Sequence, residues 1–267
     1  MSCRPRAAVY GAALLTSFMI VTSCGTDSPG DGDSTESASA VTGSSETEGE
    51  PEGPSWDPDS RHVLVNAKNP LAPRDYEPAD LMEPEVRTSE DGPVTLRAEP
   101  AEALEEMFAA IRDEEMELAV TSAYRSYDSQ RRVYAEHYAE EGVESTDETT
   151  ARPGYSEHQT GLAADVISID NPDCIDGDCF AETPEGQWFA ANAHRFGFII
   201  RYPEGAEDVT GYQYEPWHVR YVGQETAAEV LAAGTTLEEY WDQPAAAEYD
   251  EPEPDPDMLE PPEEPSP

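Results

Sequence analysis

The sequence predicts an α+β fold in one domain, a small, mainly antiparallel sheet flanked by helices. Three observations predict it. Amphipathic helical stretches mix irregularly with short apolar runs of strand length, so the regular strand–helix–strand period of a parallel sheet is missing. Both ends of the 267-residue chain are unlike folded protein, which leaves a folded part of residues 60–242. That length suits a single domain, and no internal repeat is apparent.

Residues 1–23 read as an export signal. Arg4 and Arg6 precede the apolar "AAVYGAALLTSFMIV", which is too short for a membrane span of about 20 residues. The run ends in "VTSC". Small residues directly before Cys24 are the pattern of a lipoprotein signal, cut before the cysteine. Acylated Cys24 would then anchor the chain to the outer face of a bacterial cell membrane. An ordinary secretory signal with an incidental cysteine is the alternative. Residues 24–59 are Gly, Ser, Thr, Asp and Glu with almost nothing apolar. They bury too little to offset chain entropy and are expected to form a disordered tether spanning roughly 30–35 Å.

The folded part opens with "RHVLV", a short alternation read as a strand, followed by a proline-rich extended run. In "EPAEALEEMFAAIRDEE", Leu104, Met107, Phe108 and Ile111 share one helical face, with acids early in the helix where the dipole favours them. "MELAVTSAY" reads as a strand. "SYDSQRRVYAEHYAEEG" reads as a second helix, with Tyr127, Tyr134 and Tyr138 spaced for one face and Gly142 at its end. "SEHQTGLAADVIS" enters a strand near Ala163–Ser168. "PEGQWFAANAHRFGFII" reads as a helix leading into a strand, "EPWHVRYVG" as another strand, and "ETAAEVLAAGTTLEEYW" as the closing helix. From Gln243 onward, proline alternates with acid, so residues 243–267 are expected to be a disordered tail.

The formal net charge is −43, and neither the tether nor the tail holds a Lys or Arg. Nothing would neutralise phosphates, which argues against nucleic-acid binding. A highly solvated exported protein fits better. Cys3 would leave with the signal and Cys24 would be acylated. The remaining pair, Cys174 and Cys179 in "DCIDGDCF", suits a disulfide in an exported protein. As a metal pair it lacks further ligands nearby.

Of the five histidines, His62, His137 and His194 read as packing or surface residues. His158 precedes Asp165 at the start of a strand, and His218 follows Glu215 in "EPWH". A catalytic zinc takes three protein ligands from His, Asp or Glu and keeps a fourth position for water. A further carboxylate takes that water's proton. Either histidine–carboxylate pair alone fits an ordinary surface histidine equally well.

The blocks "SAYRSYDSQ", "SEHQTGLAADV" and "YEPWHVRYVG", in that order, resemble the three signature blocks of the D-alanyl-D-alanine carboxypeptidase family of zinc metallopeptidases, the vancomycin-resistance Y type. "LVNAKNPLAPRDYEPADL", "FGFIIRYP" and "TTLEEYW" match as well, so the resemblance spans roughly residues 62–241. It implies one zinc held by His158, Asp165 and His218, with Glu215 as catalytic base. It also implies that Arg125 faces the site, there to stabilise an oxyanion or hold the substrate's C-terminal carboxylate. Ser126, Gln130, Ser156 and Trp217 resemble residues that contact the peptide. Ser126 is equally suited to cap the second helix, Trp217 to pack the core and Gln130 to lie on the surface.

The implied reaction is hydrolysis of the bond before a C-terminal D-alanine in a peptidoglycan stem peptide or precursor. A D,D-dipeptidase or L,D-carboxypeptidase would use the same centre. A wall-binding lipoprotein without catalysis would have lost a ligand or the base, and all four positions are intact. A docking protein acting through its acidic tail is a further alternative. For a hydrolase, that tail is expected to be dispensable.

Overall fold

The computed structural model describes residues 53–89, 94–171, 174 and 179–260. The export signal, most of the tether and residues 261–267 lie outside that description. In chain order, β1 (Leu81–Met82) and β2 (Leu96–Arg97) form a two-stranded antiparallel ribbon that leads into α1 (Ala98–Asp113). Then follow β3 (Leu118–Ser122), α2 (Tyr127–Glu141), α3 (Val143–Thr149), a 3-10 turn at Glu157–Thr160 and β4 (Ala163–Ser168). The second half holds α4 (Cys179–Glu182), α5 (Pro184–Asn192), β5 (Phe198–Ile200), α6 (Glu207–Thr210), β6 (His218–Tyr221), α7 (Gln224–Ala233), α8 (Leu237–Tyr240) and α9 (Pro256–Leu259). The main sheet has the order β3–β4–β6–β5, with every neighbouring pair antiparallel. This is the α+β architecture read from the sequence.

The apolar stripe of α1 explains how that helix sits. Leu104, Met107, Phe108 and Ile111 are all buried in one core with Leu118 and Val120 of β3 and Val166 of β4. Each such side chain contributes about 1.5–3 kcal/mol by leaving water. Ser126 caps α2, its hydroxyl accepting from the Ser129 amide at 3.2 Å. A second core under α7 and α8 joins Leu64, Ile199, Val222 and Leu237. Cys174 and Cys179 are joined by a disulfide.

The elements differ from expectation in four places. The run after Arg61 forms isolated backbone bridges, Ser55 with Val63 and Asn66 with Asn69, rather than a strand. The domain therefore reaches back to Ser55, inside the stretch expected to be tether. The second helix ends at Gly142 as read, but an unforeseen helix, α3, follows it directly; its Asp147 accepts from the Tyr134 hydroxyl of α2 at 2.7 Å and from Arg152 at 2.6 and 3.1 Å. The closing helix is split at Gly234, whose φ of +64° is left-handed, and α8 restarts with a Thr236–Glu239 capping box.

The largest departure is the tail. Residues 244–260 are placed against the domain. Ala246 is fully buried and its amide donates to the Val209 carbonyl at 2.7 Å. The Tyr249 ring meets Tyr155 edge-on at 5.0 Å and lies under the Arg152 guanidinium at 4.1 Å. Arg152 also donates to the carbonyls of Glu251 and Pro252, and Arg131 of α2 to those of Asp257 and Glu260. A few anchors suffice to dock a segment whose average composition reads as disordered. Truncation after Gln243 should therefore cost about 2 kcal/mol. For a domain of this size that lowers the melting temperature by roughly 4–8 °C. A calorimetric scan that leaves the melting temperature unchanged would show the segment to be idle.

Candidate active site

The register of the sheet builds most of the site. On β4 and β6, Asp165 pairs directly with His218, and paired residues project from the same face. An irregularity in β3 brings Ser122 opposite Asp165 on the other side. His158 comes from the 3-10 turn before β4, which Gly161 closes at a φ of +68°. A Cβ at that glycine would lie 2.9 Å from the Arg97 side chain. Glycine thus lets the chain fold back tightly enough for His158 and Asp165 to face one point.

The ligand atoms of His158, Asp165 and His218 lie within 4.8 Å of one another. His158 Nε2 is 3.3 Å from Asp165 Oδ2, and His218 Nδ1 is 3.0 Å from Asp165 Oδ1. The two rings meet edge-on at 4.9 Å. Asp165 Oδ1 is buried without a hydrogen-bond partner despite that short approach, so its lone pairs converge on the same space as the ring nitrogens without being used. His158 Nδ1 faces the Ala123 carbonyl at 2.7 Å, which leaves Nε2 as the inward lone pair. Two imidazoles and a carboxylate are a donor set that zinc accepts. The electrostatics agree. Burial disfavours a charged His218, but Asp165, Glu157 and Glu215 outweigh it and raise its pKa to about 10. Burial likewise opposes the Asp165 carboxylate, yet the two histidines hold its pKa far below the usual range. The His158 pKa is lowered, chiefly by burial. The cluster holds Asp165 ionised and, in the absence of a metal, draws a proton onto His218, the positive charge that a bound cation would replace.

Glu215 enters from the turn before β6, where the His218 amide donates to its carbonyl at 3.1 Å. Its Oε2 is 3.6 Å from His218 Nδ1. Burial raises its pKa to about 7; Asp165 and Glu157 add to the rise, and His218 and Arg125 oppose it. A carboxylate poised near neutrality suits proton transfer in both directions.

Arg125 follows β3, its amide donating to the His158 carbonyl at 3.1 Å. Its guanidinium donates to Gln130 Oε1 and to Ser122 Oγ, each at 3.0 Å. Burial lowers its pKa while the charges of Asp165 and Glu215 raise it. Arg125, Gln130, Ser156 and Trp217 line the same cavity of about 300 Å³ as the ligands and Glu215. Gln130 is buried and donates to the Ala151 carbonyl at 2.7 Å, so it is not a surface residue. Trp217 both packs on the core and lines the cavity. Ser126 is outside this lining, and its hydroxyl is engaged as the α2 cap. Of the peptide-contacting residues implied by resemblance, it is the one that geometry sets aside. Larger hollows of about 860 and 600 Å³ lie elsewhere, and among the described residues neither is lined by the His158, Asp165 and His218 group.

Sequence reasoning passed over four residues here. His137, read as a surface residue, lines the cavity, its Nδ1 2.8 Å from Thr150 Oγ1. Tyr202 stacks at 5.0 Å on His218 and at 4.6 Å on Tyr212. Glu157, beside the first ligand, is fully buried behind the second. The tyrosines in "RYP" and "GYQYEPWH" were the available signal, since aromatics so close to a ligand histidine tend to pack on it. His62 and His194 stay outside the lining, and His62 faces the Val222 carbonyl at 3.1 Å.

Comparison with known proteins adds independent findings. The family model of VanY, D-alanyl-D-alanine carboxypeptidase, matches residues 93–224. YodJ of Bacillus subtilis (strain 168) is 43% identical over 188 residues, spanning 69% of this chain and 68% of that protein. The bifunctional D-Ala-D-Ala dipeptidase and D-Ala-D-Ala carboxypeptidase VanXYC of Enterococcus gallinarum is 35% identical over 180 residues, spanning 67% and 92%. Among solved structures, the LdcB LD-carboxypeptidase superposes with a TM-score of 0.66 at 43% identity, covering 70% of this chain and 87% of that one. A mutant of the vancomycin-resistance D,D-pentapeptidase VanY in complex with Zn(II) superposes with a TM-score of 0.55 at 29% identity, covering 70% and 99%.

Proposed function

Because this chain belongs to the VanY family of D-alanyl-D-alanine carboxypeptidases, we propose that it is a zinc carboxypeptidase that removes a C-terminal D-alanine from peptidoglycan stem peptides. The observation that carries this reading is the convergence of His158, Asp165 and His218 on one point, with the Glu215 carboxylate beside them. His158, Asp165 and His218 would hold one zinc ion. When bound there, zinc supplies Lewis-acid activation of water and of the scissile carbonyl. Glu215 accepts the proton of the attacking water and returns it to the leaving amine. Arg125 offers its guanidinium to the oxygen that becomes negative as the carbonyl is attacked. Gln130 and Ser122 hold that guanidinium in place. Trp217 and Ser156 line the space in which the peptide must lie.

A second reading, L,D-carboxypeptidase, is favoured by the greater similarity to LdcB, a TM-score of 0.66 against 0.55 for VanY. Both use the same centre on stems of different length. The purified chain, loaded with one zinc per molecule, should release D-alanine from a defined pentapeptide stem. Release only from the tetrapeptide would assign the L,D reading. No release from either with zinc bound would overturn both. The basic and apolar start ending at Cys24 supports a lipid-anchored enzyme at the outer face of the cell membrane. Labelled palmitate should enter the chain and fail to enter Cys24→Ala; equal labelling of both would remove the anchor.

A further inference from the structure

We infer that Glu157 is a positioning residue for the metal centre, holding the His218 ring by its Nε2 edge so that Nδ1 is the nitrogen presented to the metal. The inference rests on the zinc reading above and concerns a residue outside the ligand set. The two histidines turn opposite edges toward Asp165, Nε2 in His158 and Nδ1 in His218. A histidine ligand needs an acceptor for the N–H on its far nitrogen, which settles the tautomer and the tilt of the ring. For His158 that acceptor is the Ala123 carbonyl. For His218 the far nitrogen is buried and makes no hydrogen bond, and 3.8 Å away lies Glu157 Oε2, equally buried and equally unused. The gap exceeds a hydrogen bond by less than 1 Å or so. Two orphaned groups of matching polarity face each other.

The other half of the carboxylate explains why it is well held. Glu157 Oε1 accepts from Arg201 Nε at 2.9 Å and from Arg220 Nη1 at 2.6 Å. Both arginines bind the same oxygen and leave Oε2 to the histidine. Arg201 is forked onto Glu238 at 2.6 and 3.0 Å, and Glu238 accepts from Asn66 at 2.9 Å. Arg220 donates to the carbonyls of Val63 and Arg61. The side chains of Glu157, Arg201, Arg220 and Glu238 are fully buried and their charges sum to zero. A glutamine at this position has one acceptor oxygen, so it cannot serve the arginines and the histidine from opposite sides.

The test measures zinc dissociation constants by chelator competition, with melting temperatures of the metal-free proteins alongside. Glu157→Gln should weaken zinc binding about 10- to 100-fold. Arg220→Gln disturbs the same buried network but leaves Glu157 facing His218, so its zinc affinity should stay within about threefold. The double variant Glu157→Gln/Arg220→Gln restores charge balance and should keep the zinc defect. Nitrogen-edited NMR of the zinc-loaded wild type needs no variant: it should show the ring proton on Nε2 of His218 and on Nδ1 of His158. Glu157→Gln binding zinc as tightly as wild type, Arg220→Gln losing as much affinity, or a proton on His218 Nδ1 would each overturn the inference. Wild type that binds no zinc would instead overturn the metal reading itself.

Discussion

Glu215→Gln is expected to retain one zinc per chain while kcat falls about a hundred- to ten-thousand-fold. Glutamine fills the same volume and keeps a polar oxygen in the cavity, but it accepts no proton from water. The three residues whose atoms converge within 4.8 Å do not include Glu215, so the metal should remain. The pH profile gives the same residue a second signature. Glu215 works as a carboxylate, and burial raises its pKa to about 7 in the metal-free protein. Activity should therefore be lost as pH falls through its pKa. Zinc beside it favours the ionised form, so the acid limb of kcat/KM should lie below about 7, and Glu215→Gln should lose that limb along with its rate. A variant with near wild-type turnover would remove Glu215 from the chemistry. One that loses zinc would show that it acts as a ligand.

What could be read in the sequence was what lies close together along it. Helices α1 and α2 announced themselves by apolar spacing and by the Ser126 cap, and the Ala163–Ser168 strand appeared at its predicted position. The ligand set was legible only through the order of three blocks, because the contact that makes it a site, Asp165 opposite His218, is a matter of sheet register. Periodicity carries no register between strands separated by a helix and several loops. The Glu157 network escaped for the same reason, since its partners lie 44, 63 and 81 residues away, at Arg201, Arg220 and Glu238. The docked tail escaped for a different one. Composition averages over 25 residues, whereas docking depends on Ala246, Tyr249, Met258 and the arginines that donate to the carbonyls of neighbouring tail residues. That docking brings the tail next to residues of the cavity, so truncation is a test of whether it is dispensable for hydrolysis. The Tyr249 hydroxyl lies 3.3 Å from that of Tyr212, which lines the catalytic cavity and stacks on Tyr202.

Arg125→Ala is expected to lower kcat by about a hundred- to a thousand-fold, with KM changing far less. The guanidinium has two possible tasks, and they differ in which kinetic constant they govern. A clamp for the substrate's terminal carboxylate would add binding energy to ground and transition state alike, and its loss would appear in KM. An oxyanion donor acts only as negative charge develops, and its loss appears in kcat. Arg125 is fastened to Ser122, which stands opposite Asp165 in the sheet, and its charge is felt by both Asp165 and Glu215. Its charge therefore acts on the same carboxylates that flank the reaction, where a developing oxyanion would be stabilised. Arg125→Lys should recover only a small part of the loss. An ammonium cannot donate to Gln130, Ser122 and the substrate oxygen in the fixed planar fork of a guanidinium. Steady-state kinetics on a D-alanine-terminated stem peptide separates the outcomes. A large rise in KM at unchanged kcat would reassign Arg125 to the substrate carboxylate.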